Sequence, residues 1–205
     1  MTGIAVSGTE GYADEAEALA EQYESISFAE VQRDVLHLIP REPCRVLEIG
    51  SGTGRDAAGF AALGHSVLAV EPTEALRTRA MALHPSPLIE WVDDSLPDLS
   101  TLVTRGETFD VAMLTAVWMH LDEAQRRRAM PNVASLVRPG GVMIMSLRHG
   151  PVPRGRRMFT VSAEETTALT EAEGMRLVSK LEKPDGALKR PGVSWVRLAF
   201  ERERE

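Results

Sequence analysis

Apolar residues along the chain group into short runs, and these runs are separated by segments of helical periodicity. Most of the runs hold three or more consecutive apolar residues, which is typical of parallel strands covered on both faces. The predicted strands are 45–50, 66–71, 88–92, 109–115 and 142–147, and the predicted helices between them are 54–63, 73–83 and 122–137, with a turn or two of helix after Pro97. This alternation predicts right-handed crossovers and an α/β fold with an open, doubly wound, Rossmann-like and mostly parallel sheet.

The two ends of the chain follow other patterns. Residues 13–23 and 27–38 are predicted as amphipathic N-terminal helices that precede the first strand. After a helix near 162–173, the segments 175–183 and 193–203 alternate apolar and polar residues, and a turn-rich stretch joins them. That pattern predicts a C-terminal antiparallel hairpin at the edge of the sheet.

The chain length, with no internal repeat and no second core, predicts one domain over residues 1–205. Apolar residues make up 43% of the sequence, which is enough for a sizeable core. The expected parts are an N-terminal helical lid or substrate region (1–40), a ligand-binding α/β core (41–150), and a basic loop, helix and hairpin (151–205).

The N-terminal sequence and the composition indicate in which compartment the protein works and whether it binds a metal. The N-terminus lacks the pattern of a signal peptide, and no run approaches the roughly 18 apolar residues of a membrane span. Cys44 is the single cysteine, which leaves no internal disulfide and no cysteine-based metal site. The 5 histidines are scattered, so we expect no metal site. From the N-terminus, the length of the apolar runs and the single cysteine we expect no membrane association and a cytoplasmic location.

The distribution of charge limits the classes of molecule that the protein can be expected to bind. The formal net charge of −7 argues against salt-driven binding to nucleic acid or anionic lipid. A local exception is the segment RHGPVPRGRR, from Arg148 to Arg157, which combines arginines and a histidine with no acidic residue. Arginine side chains bind carboxylates and phosphates, so this basic loop indicates either a small acidic substrate or a solvated surface.

A glycine-rich turn lies where the first predicted strand gives way to a helix, at Gly50, Gly52 and Gly54. Glycines there permit positive φ angles and close approach of a ligand, and ligands of open α/β sheets bind at the carboxyl ends of strands. The dinucleotide fingerprint requires a glycine at the position of Arg55, and no lysine follows as in a phosphate-binding loop. A nicotinamide oxidoreductase is therefore disfavoured.

Two acidic residues define the ligand more closely. Glu48, just before the turn, would repel a pyrophosphate and favour a ligand that carries an amino group or another positive charge. Glu71 ends the second predicted strand, where a carboxylate can accept hydrogen bonds from both hydroxyls of a ribose. A nucleoside with a cationic arm satisfies both acids.

From Val46 to Leu147 the sequence resembles the class I S-adenosylmethionine-dependent methyltransferases. Five segments resemble the motifs of that family in the expected order: VLEIGSGTG, VLAVEPTEAL, EWVDDSLPDL, FDVAMLTAVWMHL and LVRPGGVMIMS. The resemblance implies S-adenosyl-L-methionine as the cofactor and S-adenosyl-L-homocysteine as the product. The cofactor-binding residues that it implies are Glu48, Gly50, Ser51, Gly52, Gly54, Arg55, Glu71, Pro72, Asp94, Ser95, Thr115, Ala116 and Val117.

Some roles within these motifs stay open. Asp94 matches the acid that meets the adenine amino group, but helix capping is an alternative role, and Asp93 competes for the adenine. If the reaction needs a general base, His120 and His149 are the catalytic candidates, because both follow predicted strands at the carboxyl rim of the sheet. The candidate substrate contacts are Tyr23, Trp118, Arg148, His149, Arg154 and Arg157.

The size of the chain favours methyl transfer to a small-molecule acceptor, and an acidic acceptor is one of the two interpretations of the basic loop. One alternative is an RNA or protein methyltransferase that uses the loop from Arg148 to Arg157, although the net charge makes nucleic acid a poor partner. Another is a non-catalytic S-adenosylmethionine-binding protein. The accepting atom, the use of a general base and the oligomeric state are open.

Overall fold

The computed structural model describes residues 6–185 and 188–204, and in them seven strands form one sheet. The strands are β1 (Arg45–Ile49), β2 (Ser66–Val70), β3 (Ile89–Val92), β4 (Phe109–Thr115), β5 (Val137–His149), β6 (Met175–Pro184) and β7 (Ser194–Arg202). Their order across the sheet is β3-β2-β1-β4-β5-β7-β6. Strands β1 to β5 pair in parallel, whereas β7 runs antiparallel to both β5 and β6. The predicted sheet and its C-terminal antiparallel hairpin are confirmed.

Helices fill the connections between the strands. They are α1 (Ala16–Glu24), α2 (Phe28–Gln32), α3 (Arg55–Ala62), α4 (Glu74–Leu83), α5 (Ser100–Arg105), α6 (Glu123–Ser135) and α7 (Ala163–Glu171), with 3₁₀ turns at Leu36–Leu38 and Trp118–His120. The helices predicted between the strands are therefore present, including the short one after Pro97. No helix in the described ranges is long and apolar enough to span a bilayer.

The inner strands β1, β2 and β4 are buried on both faces of the sheet, which explains their continuous apolar runs. In β1, Leu47 and Ile49 belong to one core cluster, whereas Val46 belongs to a second. Successive side chains of a strand point to opposite faces, so the two clusters lie on the two sides of the sheet. This double burial is the reason that the strands lack strict alternation of apolar and polar residues.

Two boundaries differ from the sequence prediction. The segment 27–38 is not one helix, because the chain tightens into the 3₁₀ turn Leu36–Leu38, where the N–H of Leu38 bonds the carbonyl of Val35 at 2.9 Å. Strand β5 begins at Val137 and not at 142, because a register shift against β4 accommodates the glycine-containing turn inside the strand.

A capping box fixes the entrance of α6. The Asp122 carboxylate accepts the N–H of Gln125 at 2.9 Å, and the Gln125 side chain accepts the N–H of Asp122 at 3.0 Å. Asp122 is therefore the helix N-cap that the sequence predicts. This cap holds the preceding 3₁₀ turn, Trp118–His120, in place at the carboxyl end of β4.

Candidate active site

A cavity of about 790 Å³ opens at the carboxyl ends of β1, β2 and β4. Its volume falls in the range of small-molecule pockets, about 300–1,000 Å³. The loops after these strands form one part of its wall. Residues between Val6 and Tyr12 and residues of β7, among them Trp195, form another part.

Most of the residues that the sequence analysis assigned to a site line this cavity together: Glu48, Gly50, Ser51, Gly52, Arg55, Glu71, Pro72, Asp94, Ser95, Thr115, Ala116, Val117, Tyr23, His120 and Arg148. The others are not part of its described lining: Gly54, Trp118, His149, Arg154 and Arg157. The five strand-end segments therefore converge on one site, as the alternating fold requires.

The three glycines of the turn after β1 have positive φ angles of +71° at Gly50, +57° at Gly52 and +85° at Gly54. A Cβ atom on Gly50 would lie 2.5 Å from the Val117 side chain, and one on Gly54 would lie 2.5 Å from Trp91, so packing requires both glycines. A Cβ atom on Gly52 would meet nothing within 4 Å. Gly52 therefore exposes its main chain to the cavity, whereas Gly54 supports the loop from behind.

The carboxylate of Glu71 is buried and holds the backbone around it. Its Oε2 accepts the N–H of Gly52 at 2.9 Å, and its Oε1 accepts the N–H of Thr73 at 2.7 Å. Burial raises the pKa of Glu71 above its usual value. Each oxygen keeps a second lone pair that can accept a hydrogen bond from a ligand in the cavity.

Two buried polar atoms beside the glycine turn have no hydrogen-bond partner, Glu48 Oε2 and Ser51 Oγ. Burial, together with the nearby charge of Asp56, raises the pKa of Glu48 well above its usual value. A buried polar atom without a partner is costly, and both residues line the cavity. The arrangement therefore suits a ligand that brings a cationic hydrogen-bond donor to this point.

The two aspartates after β3 point in different directions. Asp94 lines the cavity, and its Oδ2 accepts the N–H groups of Thr101 and Leu102 at 2.9 Å and 3.1 Å, which caps the first turn of α5. Asp93 is exposed and pairs with Arg77 at 3.0 Å. Capping, the alternative that the sequence left open for Asp94, is thus present, and any contact with a ligand would be an additional role.

Arg148 reaches the cavity from the end of β5. It is only 8% exposed, its Nε has no hydrogen-bond partner, and it forms no ion pair with any of the described residues. Burial lowers the pKa of this guanidinium and the charge of Arg190 lowers it further, whereas the charge of Asp185, which pairs with Arg190, and the nearby Tyr12 and Tyr23 act in the opposite sense. We call this part of the cavity, lined by Tyr12, Tyr23, His120, Arg148 and Arg156, the Arg148 end.

Two other arginines of the basic loop hold the N-terminal segment. Arg156 pairs with Glu15 at 2.6 Å, and Arg157 donates to the hydroxyl of Ser7 at 2.6 Å and pairs with Asp122 at 3.0 Å. Arg157 therefore joins two parts of the cavity wall but does not line the cavity. Because both arginines already have carboxylate partners, they contribute less free positive charge than the sequence indicates.

Three of the candidate substrate residues lie elsewhere. Trp118 is fully buried in the larger core cluster. His149 ends β5 opposite Ser194 and is half-buried, and Arg154 is exposed to solvent. A contact between any of these side chains and a ligand in the cavity stays an untested prediction.

His120 lies at the Arg148 end with both ring nitrogens engaged. Its Nε2 is 3.0 Å from the hydroxyl oxygen of Tyr12, and its Nδ1 is 2.8 Å from the carbonyl oxygen of Arg157. Burial lowers the pKa of His120, so its neutral form is favoured. His120 has no free nitrogen to act on a ligand directly.

A polar network next to the cavity was missed by the sequence analysis. Arg197 donates to Gln32 at 2.7 Å, Gln32 donates to Asp56 at 2.6 Å, and Asp56 also accepts from Arg55 at 2.7 Å. Burial lowers the pKa of Arg197. The chain of contacts joins β7, α2 and α3, so no local pattern reveals it. A polar residue inside an apolar strand, such as Arg197, was the one available signal.

Comparisons with known proteins agree with this geometry. Residues 46–141 match the family model described as "Methyltransferase domain". Glycine N-methyltransferase of Rattus norvegicus is 28% identical over 204 residues, which cover 84% of this chain and 69% of that protein. Ubiquinone biosynthesis O-methyltransferase of Rhizobium etli is 31% identical over 114 residues, 56% of this chain and 45% of that protein.

The fold is similar to that of 1,6-didemethyltoxoflavin-N1-methyltransferase from Burkholderia thailandensis, whose crystal structure holds 1,6-didemethyltoxoflavin and S-adenosylhomocysteine. The TM-score is 0.73 at 21% identity, with 94% of this chain and 85% of that chain covered. Residues 46–141 therefore carry a methyltransferase domain, and the chain has the fold of the class I S-adenosylmethionine-dependent methyltransferases. The protein is a methyltransferase, and its cofactor is S-adenosylmethionine.

Proposed function

We propose that this methyltransferase acts on a small acceptor that carries a carboxylate, and that Arg148 binds this carboxylate. The observation that supports the proposal is the state of Arg148. Its guanidinium is buried at the cavity and has no acidic partner in the described chain. A buried charge without a counter-charge is costly, and a carboxylate can satisfy a guanidinium with two parallel hydrogen bonds.

The cavity wall also offers sites for the cofactor. The unpartnered Glu48 Oε2 would accept a hydrogen bond from the amino group of the methionine arm, and the free lone pairs of Glu71 would accept from the ribose hydroxyls. The open space at Gly52 admits a ligand close to the main chain. When bound, S-adenosylmethionine supplies a methyl group on a sulfonium leaving group, so the protein has chiefly to align the acceptor and exclude water.

The relatives favour a small acceptor. The name of the rat relative specifies glycine, which combines a carboxylate with an amino group, and the name of the Rhizobium relative refers to ubiquinone biosynthesis. An RNA or protein acceptor that uses the basic loop is less well supported, because Arg156 and Arg157 are already paired with Glu15 and Asp122. A carboxylate-bearing small molecule can bind Arg148, which lines the cavity and forms no ion pair with the described residues.

The test compares matched acceptors in which a carboxylate is replaced by a primary amide. Purified protein is incubated with S-adenosylmethionine and each acceptor, and the methylated product and S-adenosylhomocysteine are quantified by mass spectrometry. We expect turnover of carboxylates and little turnover of amides. Arg148→Gln should raise the KM for the carboxylate about tenfold or more, since it loses a charge-assisted hydrogen bond.

The control is Arg127→Gln, an exposed arginine on α6 that pairs with Glu123 on the same helix. It should leave KM unchanged, and both variants should bind S-adenosylhomocysteine like the wild type in calorimetry. Methylation of RNA or a protein without turnover of any carboxylate would overturn the proposal. Cofactor binding without turnover of any acceptor would instead identify a non-catalytic S-adenosylmethionine-binding protein.

A further inference from the structure

Tyr12 and His120 form a hydrogen-bonded pair whose direction the structure defines. The carbonyl oxygen of Arg157 can only accept a hydrogen bond, so the His120 Nδ1 at 2.8 Å must carry the ring proton. In a neutral imidazole the other nitrogen, Nε2, is then an acceptor. The hydroxyl of Tyr12, at 3.0 Å from Nε2, therefore donates its hydrogen to His120.

The surroundings keep this direction. Burial lowers the pKa of His120, the hydrogen bond to the Arg157 carbonyl and the charge of Glu10 act in the opposite sense, and the positive charges of Arg156 and Arg148 lower it further. Burial also raises the pKa of Tyr12, so the phenol keeps its proton. Tyr12 donates to His120, and its remaining lone pairs can only accept, with the Arg156 side chain as one nearby donor.

The position of the Tyr12 ring is fixed on several sides. The Arg156 guanidinium lies 4.2 Å from the centroid of the ring and is itself held by Glu15. The His120 ring meets Tyr12 edge-on, with centroids 5.5 Å apart. Tyr12, His120 and Arg148 all line the cavity. Tyr12 also lies within the electrostatic range of Arg148, so an acceptor whose carboxylate is bound at Arg148 can reach a tyrosine oxygen of fixed position and fixed polarity.

We propose that Tyr12 is a catalytic residue that selects acceptors with a hydrogen on the nucleophilic atom: its oxygen accepts that N–H or O–H and so turns the nucleophile's lone pair toward the methyl group. Tyr12 takes no proton from the acceptor, which releases its surplus proton to water after it has been methylated. His120 is a positioning residue, because it acts on the acceptor only through Tyr12. The inference rests on the proposed function only in its kinetic test, which needs a carboxylate acceptor. The spectroscopic test needs no acceptor.

The spectroscopic test uses the cofactor-free protein. Nitrogen-15 labelling of the histidines reports the tautomer of each ring, and the signal missing from His120→Gln identifies His120. We expect the proton on Nδ1 and a change in the Nε2 shift when Tyr12→Phe removes the donor. A proton on Nε2, or a nitrogen-15 chemical shift of Nε2 that is the same in Tyr12→Phe as in the wild type, would overturn the inference even if no acceptor is found.

The kinetic test measures kcat and KM separately. Tyr12→Phe should lower kcat about tenfold for an acceptor with an N–H, with little effect on KM or on the binding of S-adenosylhomocysteine. Unchanged kcat in a variant that binds S-adenosylhomocysteine normally would overturn the role of Tyr12. If no carboxylate is methylated but the tautomer is as expected, the proposed acceptor has failed and the hydrogen-bonded pair has not.

The pH profile tests the positioning role of His120. Protonation turns Nε2 into a donor and removes the acceptor for the Tyr12 hydroxyl, so wild-type kcat/KM should fall at acidic pH. In His120→Gln the side-chain oxygen can still accept from Tyr12 but does not titrate. This variant should keep most of the activity and lose the acidic limb, while His37→Gln, an exposed histidine, should retain it. If the acidic limb of kcat/KM is unchanged in His120→Gln, a group other than His120 titrates there, and the positioning role of His120 is wrong.

Discussion

Glu71 at the end of β2 holds the glycine turn after β1, because its Oε2 accepts the backbone N–H of Gly52 at 2.9 Å. The same carboxylate accepts the N–H of Thr73 through Oε1 at 2.7 Å. One side chain thus joins two neighbouring strand ends, and it does so at the point where the ribose of the cofactor is expected. Its role in binding and its role in folding can be separated by experiment.

Glu71→Ala should weaken the binding of S-adenosylmethionine and S-adenosylhomocysteine by about tenfold or more, because it removes charge-assisted hydrogen bonds to the ribose. Calorimetric titration at one temperature and salt concentration measures this loss. Glu71→Gln keeps an oxygen for one backbone N–H and should lose less stability than the alanine variant. Unchanged affinity in a folded Glu71→Ala protein, or tight binding of NADH by the wild type, would contradict the assignment of this end of the cavity.

Gly52 and Gly106 form a matched pair that separates backbone strain from ligand access. Both have positive φ angles, +57° and +64°, and a Cβ atom on either would meet nothing within 4 Å, but only Gly52 lines the cavity. Either change to alanine should lower the free energy of unfolding by about 1–2 kcal/mol, the cost of a left-handed residue. Only Gly52→Ala should also weaken S-adenosylhomocysteine binding in calorimetry. Equal affinity in both variants would place the cofactor away from this loop.

The sheet was predictable because its signals are local. Strand β4 is a continuous apolar run, and such a run between helical segments has few alternatives to a doubly covered parallel strand. The glycine turn and the two glutamates were predictable for a related reason, since a strand end in this fold places its next residues at the ligand site. Each of these predictions depends on spacing within a few dozen residues.

The contacts that close the cavity were not predictable in this way. Tyr12 and His120 are 108 positions apart, and nothing in either neighbourhood encodes the pairing. Arg126 shows the same limit. The run QRRR, residues 125–128, has the charge pattern of a solvent-exposed helix face, so the sequence predicts that all three arginines are exposed. In the structure Arg126 is 3% exposed and binds both carboxylate oxygens of Glu165 on α7, whereas Arg127 and Arg128 are exposed. Tertiary packing decided which arginine of the run is buried.

Asp94→Ala should destabilise the protein by about 1 kcal/mol, the usual cost of a lost helix cap, because its carboxylate accepts the N–H groups that begin α5. Urea unfolding measures this change, and calorimetry on the same sample measures the affinity for S-adenosylhomocysteine. If Asp94 also meets the adenine amino group, affinity falls as well. Asp93→Ala, which removes an exposed ion pair with Arg77, is the control and should change neither quantity appreciably. Full stability in Asp94→Ala would show that α5 does not depend on this cap.

Glu48 should make both the stability and the cofactor affinity depend on pH. Its folded-state pKa is raised above the usual 4.5 by burial and by Asp56, so the folded protein binds this proton more tightly than the unfolded chain does. The resulting stabilisation is complete below the usual pKa and is lost as pH rises through the folded pKa. Glu48→Gln cannot titrate and should lose this dependence in urea unfolding, whereas Glu90→Gln, an exposed change on β3, should retain it.

An ammonium group at Glu48 favours the carboxylate form of this side chain. Binding of S-adenosylhomocysteine should therefore release a proton, seen as a buffer-dependent heat in calorimetry. The same buffer dependence in Glu48→Gln would assign the released proton to another group.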